Sequence, residues 1–467
     1  DQLSGQEIEE NRFASFYGAL DYSLFDRYVL NVSFRTDGSN NFGSDEQFNP
    51  TWSAGAVWHV SEETFMEVVR PVLSRLSLRV ATGYTGNINK TVKPNLMMKY
   101  YKNFRISDDE NYRMGYINNA PNPKLRWEKT RDVKVALDFG LWKDRINGIV
   151  EAYWRKSKDC VTSEYVPVTT GFFNQSYNTS VLQNNGVEFS LSVAVLKSKD
   201  YNLSVSANVA WNQNKLKKYN SPNTSLALDK YVGYPMGAVF SGKYEGIDPE
   251  TGMYKFKLRP DAVTNKDGYL REPNNYYYYL GTSVAPFTGG FNLNFSYKNI
   301  GLSVGGSYSV KAKMVDNIES PAGYELLSGS KLESIPTPHN DLYRNHLNVK
   351  REVRNRWTPE NRTGVKYPRL IDAYGKKLGL DLTNPTLTTI TRGALLEDIS
   401  YLRINTIALS YSLPQRVLER INFSSAALNL TLNNFFTITK YSGIDPEVPG
   451  ATYPVSRSVT IGLNVGF

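Results

Sequence analysis

Strict alternation of apolar and polar residues dominates this chain. In the segment 187–195 every second residue is apolar, namely Val187, Phe189, Leu191, Val193 and Val195. The same alternation recurs at 133–141, 203–211, 291–297, 302–310 and 461–467. A period of two places successive side chains on opposite faces of a β-strand, whereas an amphipathic helix needs a period near 3.6. The pattern predicts an all-β chain of about thirteen antiparallel strands.

The lengths of the strands and connections favour a membrane barrel. Many alternating segments run about ten to fifteen residues, closer to a tilted membrane strand than to the usual five or six of globular sheets. Short turns follow alternate strands, and long segments lie between them, near 88–127, 161–182, 215–286, 313–396 and 438–456. Short periplasmic turns and long extracellular loops are typical of outer-membrane barrels. A soluble sandwich also alternates, with its apolar face inward, so alternation alone does not distinguish the two.

Residues at the strand ends add to this interpretation. Aromatic residues cluster at the short turns, as interfacial girdles do: Tyr22, Phe25, Tyr28, Trp142, Tyr297 and Tyr411. The longer connection at 61–75 begins Ser61-Glu62-Glu63 and continues with apolar residues, which predicts a short helix capped by Ser61. The last strand alternates and stops on Phe467, which resembles the signal that the outer-membrane insertion machinery reads. We therefore expect Phe467 to be a membrane-insertion signal.

Composition excludes some classes of function. The chain has 467 residues, a mean hydropathy of -0.43 and no apolar run of the roughly 18 residues that a membrane helix needs. The net charge of +9 comes from scattered basic residues, so we expect loop solvation and some attraction for lipopolysaccharide, and no nucleic-acid binding. The single cysteine, Cys160, excludes an intrachain disulfide. Three scattered histidines and no nucleophile motif predict no catalytic residues, no metal site and no cofactor.

Candidate contacts lie in the long loops. The run Tyr276, Tyr277, Tyr278 and Tyr279 could stack on sugar rings, form a strand top or contact a partner protein. In a basic cluster near 351–357, Arg354 and Trp357 are candidates for substrate contact, with loop packing favoured. Two similar motifs, at 244–250 and 441–447, contain Ile-Asp-Pro-Glu and predict rigid turns, with Ca²⁺ binding left open.

Ordered segments along the chain resemble the SusC/RagA family of TonB-linked outer-membrane transporters of Bacteroidetes. They lie at 26–43, 52–55, 61–66, 77–87, 122–130, 184–188, 287–291, 400–404 and 443–447. The resemblance implies an N-terminal plug, a barrel of about 22 strands and a SusD-like surface lipoprotein lying over the loops as a lid. It also implies energy supplied by TonB through an N-terminal region. The resemblance further implies that the plug and about the first nine strands are absent from this sequence. An odd count of about thirteen strands independently implies missing strands, since bacterial single-chain barrels have an even number.

The resemblance implies active import of a bulky nutrient across the bacterial outer membrane. An oligosaccharide is the first expectation and a peptide the alternative. A passive porin or a surface adhesin on the same barrel is a further alternative. We treat residues 1–467 as one domain, the C-terminal part of the barrel, and do not expect an enzyme.

Overall fold

The computed structural model describes residues 11–87, 97–107, 110–172, 174–219, 231–250, 254–261, 276–315, 354–365, 392–449 and 453–467, with residues 92, 94 and 252 besides. It divides into two compact units. The first comprises residues 1–197 and 204–236, and the second comprises residues 198–203 and 237–467. Among the described residues, no helix is long and apolar enough to cross a bilayer.

The first unit is built from long antiparallel strands joined in sequence. Its sheet has the order β1-β2-β3-β4-β7-β8-β9-β10, and β5 and β6 form a separate hairpin in the connection between β4 and β7. The strands are β1 (Phe13–Leu24), β2 (Tyr28–Ser39), β3 (Phe48–His59), β4 (Leu73–Asn87), β5 (Met97–Ser107), β6 (Glu110–Asn119), β7 (Glu128–Leu141), β8 (Ile146–Tyr165), β9 (Asn174–Lys197) and β10 (Tyr201–Lys218). Short 3-10 helices occupy Val60–Glu62, Thr64–Met66 and Val168–Thr170.

The second unit repeats this plan with five long strands. Its sheet has the order β15-β16-β19-β20-β21, and the pairs β11–β14, β12–β13 and β17–β18 lie in the long connections. The strands are β11 (Ala238–Gly242), β12 (Tyr244–Ile247), β13 (Tyr254–Phe256), β14 (Tyr277–Thr282), β15 (Phe287–Tyr297), β16 (Ile300–Val310), β17 (Lys313–Val315), β18 (Leu396–Asp398), β19 (Tyr401–Ser412), β20 (Ser425–Thr439) and β21 (Ser458–Gly466). A 3-10 helix at Arg392–Leu395 precedes β18, and one α-helical turn and a half, Gln415–Arg420, joins β19 to β20.

Strand register collects the apolar residues of the first unit on one face. Leu30 pairs with Ala56, and Ala56 pairs with Val80. Val80 pairs in turn with Val135, which pairs with Ala152. Leu30 is nevertheless 43 % exposed and Val80 42 %. A soluble sandwich would bury such a row, so this face has the character of a lipid-facing surface.

The opposite face of the same strands carries ion pairs. Arg79 Nε lies 2.6 Å from Asp138 Oδ2, and Lys134 Nζ lies 3.1 Å from Glu151 Oε1. Arg155 on β8 pairs at 2.9 Å with an oxygen of Asp132, the residue directly opposite it on β7. These residues occupy the positions that alternate with the apolar row, as expected for a face lined by water.

The five-stranded sheet of the second unit has the same two faces. Its apolar row joins directly paired residues: Phe295, Leu302, Leu409, Leu430 and Ile461. Leu409 and Ile461 are exposed. The neighbouring row on the other face is small or polar: Asn294, Ser303, Ala408, Thr431 and Thr460. With eight long strands described in the first unit and five in the second, the prediction of an all-β chain with about thirteen antiparallel strands is confirmed.

Two expectations about local structure are wrong. The segment 161–182 was expected to be a long loop, but β8 and β9 continue through most of it and pair as far as Tyr165 and Asn174. These strand extensions are polar on both faces and so lose the alternation. Ser61 does not cap a helix, because it lies inside the first 3-10 helix, whose N-cap position is His59 and has no side-chain cap.

A cluster of contacts joins two connections and strand β9 at the long-loop end of the first unit, the end opposite the short turns. The rings of Phe42 and Trp127 stack with centroids 4.5 Å apart. The backbone N–H of Gly43 donates to the carbonyl oxygen of Leu125 at 2.9 Å. The Asn178 side chain, on β9, donates to the Arg126 carbonyl at 2.7 Å. Trp127 and Leu125 are buried, so the family-like segment 122–130 is a packing element.

Substituting Gly43 with alanine is expected to break the contacts between these two connections. A Cβ at Gly43 would lie 1.8 Å from the backbone oxygen of Pro123. A backbone atom cannot move aside as the end of a flexible side chain can. Overpacking of this kind costs about 1–3 kcal/mol. Limited proteolysis of the full-length protein should therefore cut the 39–47 and 120–127 connections faster in Gly43→Ala than in Gly18→Ala, the matched control, where an added Cβ meets nothing within 4 Å. Equal cleavage rates would contradict the packing role of this glycine.

Candidate functional site in the long connections of the second unit

The tyrosine run forms a packed strand. Tyr277–Thr282 is β14, and it pairs with β11 so that Tyr279 lies opposite Phe240 and Tyr278 opposite Ser241. The Tyr278 hydroxyl donates to the Leu258 carbonyl at 2.8 Å, and the Tyr279 and Phe240 rings lie 5.7 Å apart. Tyr276, Tyr277 and Tyr278 are half-buried, whereas Tyr279 is exposed. Burial raises the pKa of Tyr276. Tyr279 therefore presents the most accessible ring of the run.

The first Ile-Asp-Pro-Glu motif is a turn that holds Trp357. Asp248 accepts a hydrogen bond from the Glu250 backbone N–H through its side chain at 3.0 Å. The indole of Trp357 donates to the carbonyl oxygen of Pro249 at 2.9 Å, and Trp357 is buried. Trp357 thus packs one long connection against another, as the favoured interpretation of its cluster expected. Arg354 lies exposed beside it in the chain.

The second Ile-Asp-Pro-Glu motif binds a buried arginine. The Arg403 guanidinium donates to Asp445 Oδ1 and lies 3.0 Å from Glu447 Oε2. Asp445 also accepts hydrogen bonds from the backbone N–H groups of Glu447 at 2.9 Å and of Val455 at 3.0 Å. The side chains of Arg403 and Asp445 are only 3 % and 7 % exposed. The buried ion pair between Arg403 and Asp445 therefore attaches this turn to β19.

A β-bulge explains why Arg403 faces the turn. The register between β19 and β20 shifts between Ile404 and Thr406, and Asn434 on β20 has a positive φ of 58°. Below the shift the odd-numbered residues of β19, such as Leu409, lie in the apolar row. Between the shift and the start of β19 the even-numbered residues lie in the apolar row instead, since Leu402 pairs with the exposed Ile438. Arg403 therefore lies on the opposite face of the sheet. The sequence contained this arginine inside a family-like segment, but the bulge that turns it is not visible as a sequence pattern.

A cavity of about 560 Å³ lies beside this turn. It is lined by two guanidinium groups, by polar side chains of β20 and by residues of the turn: Arg403, Asn434, Thr437, Asp445, Pro446 and Arg457. The Nε of Arg403 is buried and has no hydrogen-bond partner. Among the described residues, no group of three or more histidine, cysteine, aspartate or glutamate side chains is placed to hold a metal ion. The cavity suits a neutral or anionic polar group.

The ion pair makes the turn sensitive to acid. Burial by itself would raise the pKa of Asp445, but the backbone N–H groups of Glu447 and Val455 and the Arg403 guanidinium outweigh it and hold the pKa below its ordinary value of 3.8. A carboxyl group with a lowered pKa stabilises the folded state above its ordinary pKa, and the effect is lost as the pH falls through the folded-state value. The stability difference between the parent and Asp445→Asn should be constant from about pH 7 to pH 5 and shrink below pH 3.8. Urea unfolding of the two full-length proteins across pH measures it, and a difference that does not change with pH would contradict the charged state of Asp445.

Phe467 lies at the end of the last strand. It is exposed, and its ring contacts that of Phe423 edge-on at 5.3 Å. Its carbonyl oxygen accepts a hydrogen bond from the Ser424 hydroxyl at 3.3 Å. An accessible terminal aromatic is compatible with recognition by an insertion machinery, and that role stays a prediction.

Residues 2–318 match the sequence profile of the family described as TonB dependent receptor-like, beta-barrel. The match covers more than half of the chain. The chain belongs to this family. The family match confirms the predicted location in the bacterial outer membrane, and the relatives described next confirm the predicted resemblance to SusC/RagA-type receptors.

Individual members of the family agree with this assignment. The chain is 27 % identical to the TonB-dependent receptor SusC of Bacteroides thetaiotaomicron, over 98 % of this chain and 44 % of the relative. It is 26 % identical to the TonB-dependent receptor P26 of Formosa agariphila, over 98 % of this chain and 46 % of the relative. A solved structure of the RagAB peptide transporter is 25 % identical and superposes with a TM-score of 0.78, over 98 % of this chain and 48 % of that one. The chain thus spans about half the length of the receptors it matches.

Proposed function

We propose that this chain is barrel wall and loop surface of an active importer of oligosaccharides. The observation that carries the proposal is the two-faced sheet, apolar and exposed on one side and lined by ion pairs on the other, in a chain similar to SusC. The importing protein would use TonB, through a region N-terminal to these strands, as its source of energy. A SusD-like surface lipoprotein would cover the long loops.

The long connections of the second unit offer a surface suited to sugars. An exposed aromatic ring stacks on the apolar face of a pyranose, and Tyr279 presents such a ring on a strand that β11 holds rigid. Tyr276 and Arg354 lie in the same group of connections, and an exposed guanidinium can donate to sugar hydroxyls or to a carboxylate. Tyr278 and Trp357 instead join connections to each other, through hydrogen bonds to the carbonyl oxygens of Leu258 and Pro249.

Peptide import is the second candidate, because the chain is 25 % identical to the RagAB peptide transporter and 27 % identical to SusC. The exposed Arg457 in the cavity wall favours it, since a guanidinium group recognises carboxylates and that of Arg403 is already paired. The two candidates predict opposite substrate profiles.

Uptake of labelled substrates by cells tests the proposal. A deletion strain complemented with the full-length gene is expected to take up labelled oligosaccharides and to lose uptake when TonB is removed. Tyr279→Ala should lower uptake about two- to tenfold, since an aromatic stacking contact contributes about 0.5–1.5 kcal/mol. Tyr201→Ala, at an exposed tyrosine next to a short turn, is the matched control and should have no effect.

Three results would count against the proposal. Uptake of peptides without uptake of oligosaccharides would replace the substrate. Uptake that persists without TonB would indicate a passive porin, and adhesion to glycan surfaces without uptake would indicate an adhesin.

A further inference from the structure

The connection between β3 and β4, residues 60–72, exposes a group of apolar side chains at the short-turn end. Two 3-10 helices and a following series of turns fold it into a compact segment. Phe65 is 65 % exposed and Val68 is 88 % exposed, and Val69 and Val72 are exposed as well. Single exposed apolar residues are common on protein surfaces, whereas a cluster of them indicates a surface that contacts another molecule or a membrane.

A buried carboxylate fastens this segment to the sheet. Glu63 accepts hydrogen bonds from the Tyr28 hydroxyl at 2.6 Å and from the Trp58 indole at 3.1 Å, and it pairs with Arg27 at 3.2 Å. The hydrogen bonds from Tyr28 and Trp58, followed by the Arg27 charge, lower the pKa of Glu63 below its ordinary value. The segment is therefore held in one position by charged and hydrogen-bonded contacts.

Tyr28 and Trp58, which donate hydrogen bonds to Glu63, lie on the apolar face of the sheet. Tyr28 pairs with Trp58, and Trp58 pairs with Leu78, which pairs with Leu137. The 60–72 segment is thus attached to the sheet through Tyr28 and Trp58, which lie on the face that meets lipid. At its other end, the carbonyl oxygen of Val72 accepts a hydrogen bond at 2.7 Å from the backbone N–H of Trp142, whose side chain is exposed.

We propose that the 60–72 segment lies in the phospholipid headgroup layer, with Phe65, Val68 and Val69 directed into the boundary of the acyl chains. Its attachment through Tyr28 and Trp58 places it beside the lipid-facing row. Two of its charges are paired within it, since Arg70 pairs with Glu62 at 3.2 Å and donates to the Ser61 carbonyl at 2.9 Å, and Glu67 is exposed. A compact segment that combines exposed apolar side chains with exposed charged ones has the composition of an interfacial element. The segment would fix the depth at which the sheet sits in the bilayer.

Fluorescence quenching in vesicles tests the proposal. The full-length protein, with Cys160 and any other native cysteine replaced by serine, receives a single cysteine at Val68. This cysteine is labelled with a small fluorophore, and the protein is reconstituted in phosphatidylethanolamine–phosphatidylglycerol vesicles. The matched control carries its cysteine at Lys199, in another short turn and exposed. Brominated phospholipid should quench the Val68 probe at least about threefold more than the Lys199 probe, and aqueous iodide should do the reverse.

A second substitution separates lipid contact from general burial. Phe65→Asp should reduce quenching of the Val68 probe by brominated lipid about twofold or more, because the carboxylate draws the segment toward water. The Lys199 probe should not change, and heat-modifiable migration on gels should verify that the barrel is folded. Equal iodide quenching at Val68 and Lys199 would overturn the proposal. Protection of Val68 from both quenchers would overturn it too, since it would indicate a protein partner on this segment.

Discussion

Replacing Leu409 with arginine is expected to lower the free energy of unfolding of the membrane-embedded protein by about 1–2 kcal/mol. An arginine on the lipid side of a barrel costs about 2–4 kcal/mol near the bilayer midplane and less toward the interface, and Leu409 lies two residues from Tyr411 at the short-turn end. Leu409 is 44 % exposed and lies between Leu302 and Leu430 in the apolar row of the second unit. The side chain has no polar residue of its own row to pair with, so the charge would have to reach the interface or draw water into the membrane. Urea titration of the full-length protein in phospholipid vesicles measures the loss.

The adjacent residue provides the control for this experiment. Ala408 lies on the opposite face, between Ser303 and Thr431. Ala408→Arg introduces the same charge one residue away on the same strand, where polar neighbours surround it, so we expect a cost below about 1 kcal/mol. A larger cost at Ala408 than at Leu409 would mean that the two faces are assigned the wrong way round.

Removing the carboxylate of Asp445 is the second change with a large expected effect. Asp445→Ala leaves the guanidinium of Arg403, which is 3 % exposed, without its buried partner, and it also removes the acceptor for two backbone N–H groups. Breaking one side of a buried ion pair typically costs about 3–5 kcal/mol. Because the pair fastens one turn, the effect should be local: protease cleavage between 440 and 457 should accelerate strongly while the strands stay protected.

Glu447 is the matched control, because it contacts the same guanidinium from the surface. Its side chain is 42 % exposed, and its distance to Arg403 is 3.0 Å. Exposed ion pairs contribute little, about 0–1 kcal/mol, so Glu447→Ala should leave the cleavage rate near that of the parent. Similar acceleration in both variants would show that the turn depends on overall charge and not on the buried pair.

The strands and their faces could be predicted from the sequence because each long strand has one environment on each side. Leu30, Val80 and Leu409 lie in a regular period-two pattern, and that pattern survives in the structure as continuous rows. The pattern fails where the strand leaves that environment. The upper parts of β8 and β9 are polar on both faces, so a period of two does not identify them although their hydrogen bonds continue to Tyr165.

The candidate site was predicted less completely than the fold. The tyrosine run and the two Ile-Asp-Pro-Glu turns were found from composition and turn chemistry, and the structure places them in the long connections of the second unit. The pairing of Arg403 with Asp445 spans 42 residues and depends on a bulge, which no local pattern specifies. The contact of Glu63 with Tyr28 and Trp58 likewise depends on how a turn folds back on two strands.

Depth-sensitive spin labelling along β20 tests the central claim most directly. Single nitroxides are placed on the full-length protein, with Cys160 and any other native cysteine replaced by serine, in phospholipid vesicles at Leu428, Leu430 and Leu432 and at the alternating positions Asn429 and Thr431. We expect high accessibility to oxygen and low accessibility to a water-soluble nickel chelate at the three leucine positions, and no lipid-like oxygen accessibility at the two polar positions. Accessibility that does not alternate along β20, or that is lipid-like at Asn429 and Thr431, would contradict that claim.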